Sequence, residues 1–321
     1  MQPAATYMDT FRGHTSLDRR LRHAVVAIGN FDGVHRGHAH IFQQARGLAA
    51  GLSGESVVLT FDPHPAKVLA PAYAPPLITP LARKLELIAA EGIDVTVVEP
   101  FDRAFAGQSA EEFVRRVLAD GLAARQVVVG YDFTFGAKRS GNVQLLAELG
   151  STLGFGVTVV PPVSVDGIVC SSTKVREFVL EGRVDGATLV LGRAPEVEGE
   201  VVHGDGRGRS IGVPTANLRS ETELMPKNGV YAGWAERLSD GRRWPAAINV
   251  GTNPTFVEGQ STRVEAHLLD CDEDLYGQRL RVAFVARLRD EERFPSREAL
   301  VAQIKSDIDA TRTLMAARSG D

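Results

Sequence analysis

The stretch AVVAIGNFDGVHRGHAHIFQQARGLAAG, residues 24–51, joins an apolar run to a helical pattern through a glycine-rich turn. The run at 24–31 is short and rich in β-branched residues, which is typical of a buried strand. The residues after the turn have helical spacing and end at Gly51, a common helix stop. His35 and His38, three residues apart, fall at the predicted start of this helix. The stretch therefore predicts a strand, a loop and a helix that begins with two imidazoles.

The same alternation of strands and helices continues through the first half of the chain. Ser109 and Glu112 form a capping box before one helix, at 111–121. Strands separated by helices of this length favour a parallel α/β sheet, whose ligands bind beyond the carboxyl ends of the strands. Both GNFDGVHRGH (29–38) and GYDFTFG (130–136) lie at such an end. The other segments are strands at 56–61, 94–100, 126–133 and 157–163, and helices at 81–92 and 171–182.

The second half of the chain has a different pattern of predicted elements. Short strands at close spacing, separated by DG, NG, GTNP and LYG turns, predict a small antiparallel barrel or sandwich. An amphipathic helix at 295–315 closes the chain, with Leu300, Ile304 and Ile308 on one stripe. We therefore predict a Rossmann-like α/β domain over residues 1–184 and an antiparallel β-barrel domain, ending in a long helix, over residues 185–321.

Net charge, cysteine content and the length of the apolar runs limit the classes of protein to which this chain can belong. The 321 residues carry a formal net charge of −4, whereas a general nucleic-acid binder is usually basic, so no nucleic acid is expected as a partner. The two cysteines, Cys170 and Cys271, fit a reducing cytoplasm. No apolar run reaches the roughly 18 residues of a membrane span, and the N-terminus lacks the apolar core of a secretory signal. A cytoplasmic protein without membrane contact is the expectation.

The two histidines at a helix start suit phosphate. A helix N-terminus offers free N–H groups and partial positive charge, and imidazoles can donate hydrogen bonds to phosphate oxygens. A metal site is the rival interpretation, although HxxH supplies only two ligands and no third follows at useful spacing. Two solvent-facing histidines remain the plainest alternative for an arbitrary HxxH pair.

GNFDGVHRGH resembles the HxGH signature of the nucleotidyltransferase superfamily, which attacks the α-phosphate of a nucleotide and releases pyrophosphate. The segment SSTKVRE (171–177) resembles the second signature of that superfamily. This resemblance implies that His35, His38 and Arg176 are catalytic and that phosphate or nucleotide is bound by Gly29, Phe31, Gly37, Ser171, Ser172, Thr173 and Lys174.

Two further stretches resemble the adenylyltransferase half of prokaryotic bifunctional FAD synthetases, actinobacterial ones among them. TFDPHP (60–65) implies flavin contacts from Phe61, Asp62 and His64. GYDFTFGAKRSGN (130–142) implies a nucleotide contact from Asp132, where some members of the family have asparagine. An aspartate there can still accept a ribose hydroxyl or an adenine amino hydrogen, but it adds negative charge near ATP.

GEVVHGDGRGRSIGVPTANL (199–218) resembles the riboflavin kinase domain, and the resemblance extends over 185–312. It implies that Thr215 and Asn217 offer neutral oxygens to the Mg²⁺ that accompanies ATP, that Glu265 is the catalytic base and that Arg297 contacts flavin. No permanently bound metal is expected. Taken alone, Glu265 alternates with Arg263 and His267, as on a solvated strand face. The residues of the glycine loop that the resemblance assigns to nucleotide are Gly206, Gly208, Arg209 and Gly212.

Together these patterns predict a flavoprotein enzyme that phosphorylates riboflavin to FMN and then adenylylates FMN to FAD. Its partners would be ATP, riboflavin and FMN, with transient association between copies left open. Two alternatives stay open from the sequence: a different HxGH nucleotidyltransferase, and a non-catalytic flavin or nucleotide binder that has the same folds.

Overall fold

A computed structural model of the chain describes residues 8–204, 212–252 and 262–318. It divides into two compact units, Met1–Ser171 and Ser172–Asp321. The helices Ser172–Glu181 and Val184–Leu191 pack on each other, and the second of them packs on a barrel strand, so both group with the second unit. The predicted boundary after residue 184 stays a prediction.

The first unit is built on a six-stranded sheet that is parallel throughout, as the alternation predicted. Its strands are β1 Asp9–Arg12, β2 Val25–Ile28, β3 Ser56–Asp62, β4 Val95–Pro100, β5 Gln126–Gly130 and β8 Gly156–Val160, and two small hairpins add β6 Thr134–Phe135, β7 Gly141–Asn142, β9 Ser164–Val165 and β10 Ile168–Val169. Its α-helices are α1 Arg36–Gly51, α2 Pro65–Leu69, α3 Leu81–Ala90, α4 Arg103–Ala106, α5 Ala110–Phe113 and α6 Val143–Leu153.

The strand order β1-β4-β3-β2-β5-β8 places a topological switch point between β2 and β5. From β2 the chain moves outward through β3 to β4, and then returns to add β5 on the other side of β2. Open parallel sheets bind ligands at such a point, in the crevice outside the strand carboxyl ends. The two predicted motifs, which follow β2 and β5, therefore meet where the topology favours a ligand.

Both faces of the sheet are covered. Val26 and Ile28 of β2 belong to one apolar cluster, whereas Val25 and Ala27 belong to another. Successive strand residues point to opposite faces, so a strand buried on both sides needs a continuous apolar run. The continuous apolar run at 24–31 has this cause.

The predicted helix at 111–121 forms with a change of pitch. Its capping box is present: the Ser109 hydroxyl accepts the N–H of Glu112 at 3.1 Å, and the Glu112 carboxylate accepts the N–H of Ser109 at 2.8 Å. After α5, residues Val114–Gly121 are π-helical. The Leu122 N–H, for example, donates to the Val117 carbonyl five residues back, at 2.8 Å.

The second unit is a closed, antiparallel six-stranded barrel, which decides between the predicted barrel and sandwich. Closure follows from the last strand, which pairs with both the first and the third. The barrel also needs a strand that the sequence did not reveal, β12. The elements are α7 Ser172–Glu181, α8 Val184–Leu191, β11 Glu196–Val202, β12 Ala216–Ser220, β13 Gly229–Arg237, β14 Arg243–Thr252, β15 Thr262–Leu268, β16 Arg279–Arg289 and α9 Arg297–Arg318.

The long terminal helix α9 packs on β13 and β14. Its predicted stripe, Leu300, Ile304 and Ile308, lines a cavity beside the barrel instead of a closed core. In the part of the chain that the structure describes, no helix is both long and apolar enough to cross a bilayer.

Candidate functional sites

His35 and His38 lie together at the start of α1, as predicted. His35 is the N-cap: its Nδ1 accepts the backbone N–H of Gly37 at 3.1 Å and that of His38 at 3.4 Å. The two rings stack with centroids 3.6 Å apart. Because Nδ1 of His35 is an acceptor, its neutral ring carries the proton on Nε2 and offers a donor there. The helix start thus combines the positive end of the α1 dipole with two imidazole rings, a combination suited to phosphate.

We call residues 29–38 the histidine loop. Its backbone is held in an unusual form, with positive φ at Phe31 (48°), Gly33 (83°) and Val34 (40°). A Cβ on Gly33 would lie 2.9 Å from Cδ1 of Ile78, so glycine is required twice over. The buried Asp32 carboxylate accepts the backbone N–H of Ile78 at 3.0 Å and that of the next residue at 3.2 Å. Asp32 therefore fixes the loop that presents the histidines.

Two predicted glycines of the loop permit close packing. A Cβ on Gly29 would lie 2.9 Å from the Phe31 ring. A Cβ on Gly37 would lie 3.0 Å from Cε1 of His35 and 3.3 Å from the carbonyl oxygen of Cys170. This last distance shows that the chain just before residues 171–177, which we call the Ser/Thr-basic segment, reaches the start of α1.

Residues 60–65, which we call the proline loop, are the last three residues of β3 and the three that follow it, at the same sheet edge. The Phe61 ring packs against Phe101 and Phe105, with centroids 5.7 and 6.1 Å apart. His64 is the N-cap of α2, and its Nδ1 accepts the Ala66 N–H at 3.2 Å. Asp62 lies 3.9 Å from the guanidinium of Arg12, at the end of the edge strand β1. Flavin binding by Phe61, Asp62 and His64 stays a prediction.

Asp132 comes two residues after β5, at the switch point, and is exposed beside the exposed ring of Tyr131. Asp132 therefore lies at the same edge of the sheet as the histidine loop, in a position that a nucleotide can reach. Its role as a nucleotide ligand stays a prediction.

The Ser/Thr-basic segment spans the division between the units. Ser171 ends the first unit, whereas Ser172, Thr173, Lys174 and Arg176 are in the first turns of α7 in the second. On α7 the Lys174 ammonium pairs with Glu177 at 2.6 Å. The contribution of these residues to phosphate binding stays a prediction.

Sequence reasoning missed Lys84 on α3. Its side chain is buried, with 8% of the residue exposed, and Nζ donates to the Asn30 carbonyl at 3.3 Å and to Thr60 Oγ1 at 3.1 Å. Burial lowers the pKa of this lysine, while Asp32 and Asp62 act in the opposite direction. The available signal was a lysine four residues before Ile88, on the buried stripe of the helix.

In the second unit, Glu265 on β15 is in register with Asn217 on β12 and with Asn249 on β14. Residues directly opposite on antiparallel strands share a face, so the three form a polar row across the barrel wall. Val264 and Ala266 are fully buried in the barrel core, so the alternation places Glu265 on the outer face. Two members of the row, Glu265 and Asn249, line a cavity.

Two cavities flank this part of the barrel. One has a volume of about 590 Å³ and is lined by Glu265, Asn249 and apolar residues of α9. The other has a volume of about 460 Å³ and is lined by residues such as Ala266, Asp274 and Tyr276. Thr215 lines both cavities. Groups bound in the two cavities could therefore meet near Thr215.

Asn217 has a buried side-chain oxygen of the kind that a cation takes. Its Oδ1 is buried and accepts no hydrogen bond within the described ranges 8–204, 212–252 and 262–318. Gly204 packs against this side chain so closely that a Cβ there would come within 2.6 Å of Oδ1. A neutral, available oxygen beside Thr215 fits Mg²⁺, which takes oxygen ligands and keeps several waters. Gly212 has φ of +79°, and the predicted Gly206, Gly208 and Arg209 lie outside the described residues.

An ion pair fastens α9 beside the larger cavity. The Arg289 guanidinium on β16 donates to both carboxylate oxygens of Asp307, at 2.8 to 3.1 Å, and Gln303 donates to the same carboxylate at 2.9 Å. Arg289 and Asp307 both line the cavity, and so does the predicted flavin ligand Arg297, the first residue of α9. The pair sets the distance between helix and barrel.

Comparisons with known proteins agree with the two constellations. The family model for FAD synthetase matches residues 17–174, and that for riboflavin kinase matches residues 191–315. The second match argues against a nucleotidyltransferase that lacks a kinase half.

Curated relatives extend the match over both halves. The bifunctional riboflavin kinase/FMN adenylyltransferase of Pseudomonas fluorescens is 39% identical over 96% of this chain and 98% of its own length. The enzyme of the same name from Escherichia coli K12 is 39% identical over 88% of this chain and 90% of its own length. A solved structure described as a macrolide-efflux protein from Streptococcus pneumoniae is 32% identical, with a TM-score of 0.85, over 95% of this chain and 98% of that one.

Proposed function

This chain belongs to the family of bifunctional riboflavin kinase/FMN adenylyltransferases, and from that premise we propose which residues perform each reaction. The enzyme phosphorylates riboflavin to FMN with ATP and adenylylates FMN to FAD. In our proposal the histidine loop serves the second reaction and the polar row around Glu265 serves the first. The observation that carries the proposal is that each unit has its own constellation, with donors in one and a carboxylate in the other.

Adenylyl transfer needs no base. An oxygen of the FMN phosphate, already anionic at neutral pH, forms a bond to the α-phosphorus of ATP, and the bond to the bridging oxygen of pyrophosphate breaks. Catalysis then consists of alignment and of stabilising the charge on the transferred group. His35 and His38 donate to the phosphates at the α1 start, Ser171 supplies a hydroxyl, and Asp132 accepts from the nucleoside.

The kinase reaction does need a base. The nucleophile is the terminal alcohol of the riboflavin side chain, which is about as weak an acid as water. Glu265 accepts its proton while the oxygen attacks the γ-phosphorus and ADP leaves. Glu265 is flanked by the neutral amides of Asn217 and Asn249, and the Arg263 guanidinium on its own strand donates to its Oε1 at 3.4 Å. That contact is longer than a typical charge-assisted hydrogen bond, so the carboxylate keeps the capacity to accept the proton of the alcohol.

The cavities suggest where the kinase substrates bind. The 590 Å³ cavity, apolar on the α9 side, suits riboflavin. We assign ATP to the 460 Å³ cavity with its phosphates at Thr215, which lines both cavities, because the rest of that lining includes the carboxylates of Asp272, Glu273 and Asp274. Thr215 and Asn217 would hold the Mg²⁺ of MgATP with neutral oxygens, and the ion when bound offsets the charge of the phosphates. Arg297 contacts the flavin from the start of α9.

A cytoplasmic location belongs to the same proposal, and its support is that Cys170 and Cys271 form no disulfide. The proposed partners are ATP, riboflavin and FMN. Light scattering at working concentration decides whether copies also associate transiently.

One assay tests the proposal. The protein is incubated with riboflavin, ATP and Mg²⁺, and the flavins are separated by chromatography. We expect FMN and then FAD from the wild type, FMN alone from His38→Ala, and FAD from Glu265→Ala only when FMN is supplied. Loss of both reactions in either folded variant would contradict the assignment of residues to two sites.

A further inference from the structure

Lys84 connects the two loops at the carboxyl edge of the sheet. Its Nζ donates to the carbonyl of Asn30 in the histidine loop at 3.3 Å, and it lies 3.5 Å from the carbonyl of Phe61 in the proline loop. Thr60 completes the connection, because its Oγ1 accepts from Nζ at 3.1 Å and donates to the Asn30 carbonyl at 3.1 Å. One ammonium thus ties the backbone that follows β2 to the carboxyl end of β3.

The carboxylates around Lys84, like the carbonyls, come one from each loop. The carboxylates that act on its ammonium are those of Asp32, in the histidine loop, and Asp62, in the proline loop. Asp32 in turn accepts the backbone N–H groups that hold the histidine loop in place. The ammonium therefore attracts one carboxylate of each loop as well as one carbonyl of each.

A buried ammonium is a costly way to stabilise a fold. Burial lowers the pKa of Lys84, which means that the folded chain disfavours its charged form relative to water. An apolar side chain of similar length would fill the site without that penalty. The position of Lys84 between two substrate loops offers a reason for the charge other than stability.

We propose that Lys84 is a positioning residue for FMN adenylylation, which holds the histidine loop and the proline loop at the separation that in-line attack requires. This inference rests on the proposed function of those loops. Small displacements of reacting groups lower rates strongly, so loss of the tie should appear in the adenylyl reaction. Riboflavin phosphorylation in the other unit should not change.

The test compares Lys84→Met with Glu86→Gln, a matched change on the exposed side of the same helix. For Lys84→Met we expect kcat/KM for FMN to fall at least tenfold, with a raised KM for FMN. Hydrogen exchange should become faster at residues 29–34 and 60–65, while the amides of β2 and of residues 56–59 in β3 keep their protection. Glu86→Gln should match the wild type.

The outcomes separate the explanations. A kcat/KM for FMN within twofold of the wild type in folded Lys84→Met overturns the inference. So does a lower rate that matches a lost folded fraction, with KM for FMN unchanged, because that is a purely structural defect. If Lys84→Met does not fold, Thr60→Val decides by the same two criteria. Failure of the wild type to form FAD would instead overturn the proposed function itself.

Discussion

His35 Nδ1 accepts the backbone N–H of His38 while the two imidazole rings stack 3.6 Å apart. The first histidine therefore caps α1, and in our proposal it also offers Nε2–H to phosphate. This distinction allows the structural and the chemical contributions of His35 to be measured separately.

His35→Ala should lower both stability and FAD formation. Loss of an N-cap acceptor costs about 1 kcal/mol. His35→Asn keeps an oxygen able to cap the helix but lacks the ring donor, so its melting temperature should stay near that of the wild type. Its rate of FAD formation should still fall about 100-fold, the typical loss for one donor to a developing charge. Full activity in His35→Asn would reduce His35 to a helix cap.

Gly204→Ala should impair riboflavin phosphorylation and spare adenylylation of supplied FMN. The added Cβ would overlap the Asn217 amide and force it to rotate away from its place in the polar row. We expect kcat of the kinase reaction to fall about tenfold or more, since a 1 Å misplacement can cost 10²-fold. Gly47→Ala on α1, where a Cβ meets no heavy atom within 4 Å, is the control and should leave both rates unchanged. An unaffected kinase rate in Gly204→Ala would show that the amide position is unimportant.

Asp307→Asn should raise KM for riboflavin severalfold and lower the melting temperature. The change leaves the Arg289 guanidinium without its counter-charge, and breaking a buried pair typically costs about 3 kcal/mol. Because α9 lines the larger cavity, a looser helix should hold riboflavin less well. Asp309→Asn, at an exposed position of the same helix, is the matched control. An unchanged KM for riboflavin and an unchanged melting temperature would contradict the claim that the Arg289–Asp307 pair holds α9 on the barrel.

Local patterns predicted most of the fold. The strand at 24–31, its helix and the sheet edge that presents His35 and His38 follow from apolar runs and glycine stops, which are signals within a short window. β1 was missed because Asp9–Arg12 is an edge strand of alternating half-buried residues, and its evidence is long-range pairing with β4. β12 was missed because its five residues are partly polar and lie next to a loop motif.

The site residues also divide into those that local motifs predict and those that depend on contacts distant in sequence. His35, Glu265, Thr215 and Asn217 were predicted because motifs mark them. Lys84 and the Arg289–Asp307 pair were not, because each acts across elements distant in sequence, and a helix pattern shows only that Lys84 falls on the buried stripe. The match of Gly204 to Asn217 likewise depends on packing that no spacing reveals.

The central claim is that two independent sites share one intermediate, FMN. Its most direct test mixes His38→Ala and Glu265→Ala in equal amounts with riboflavin, ATP and Mg²⁺ and follows FAD by chromatography. Neither variant alone should convert riboflavin to FAD, whereas the mixture should, because FMN made by the first protein is adenylylated by the second. FAD from either variant alone, or none from the mixture when each retains its other reaction, would contradict the account.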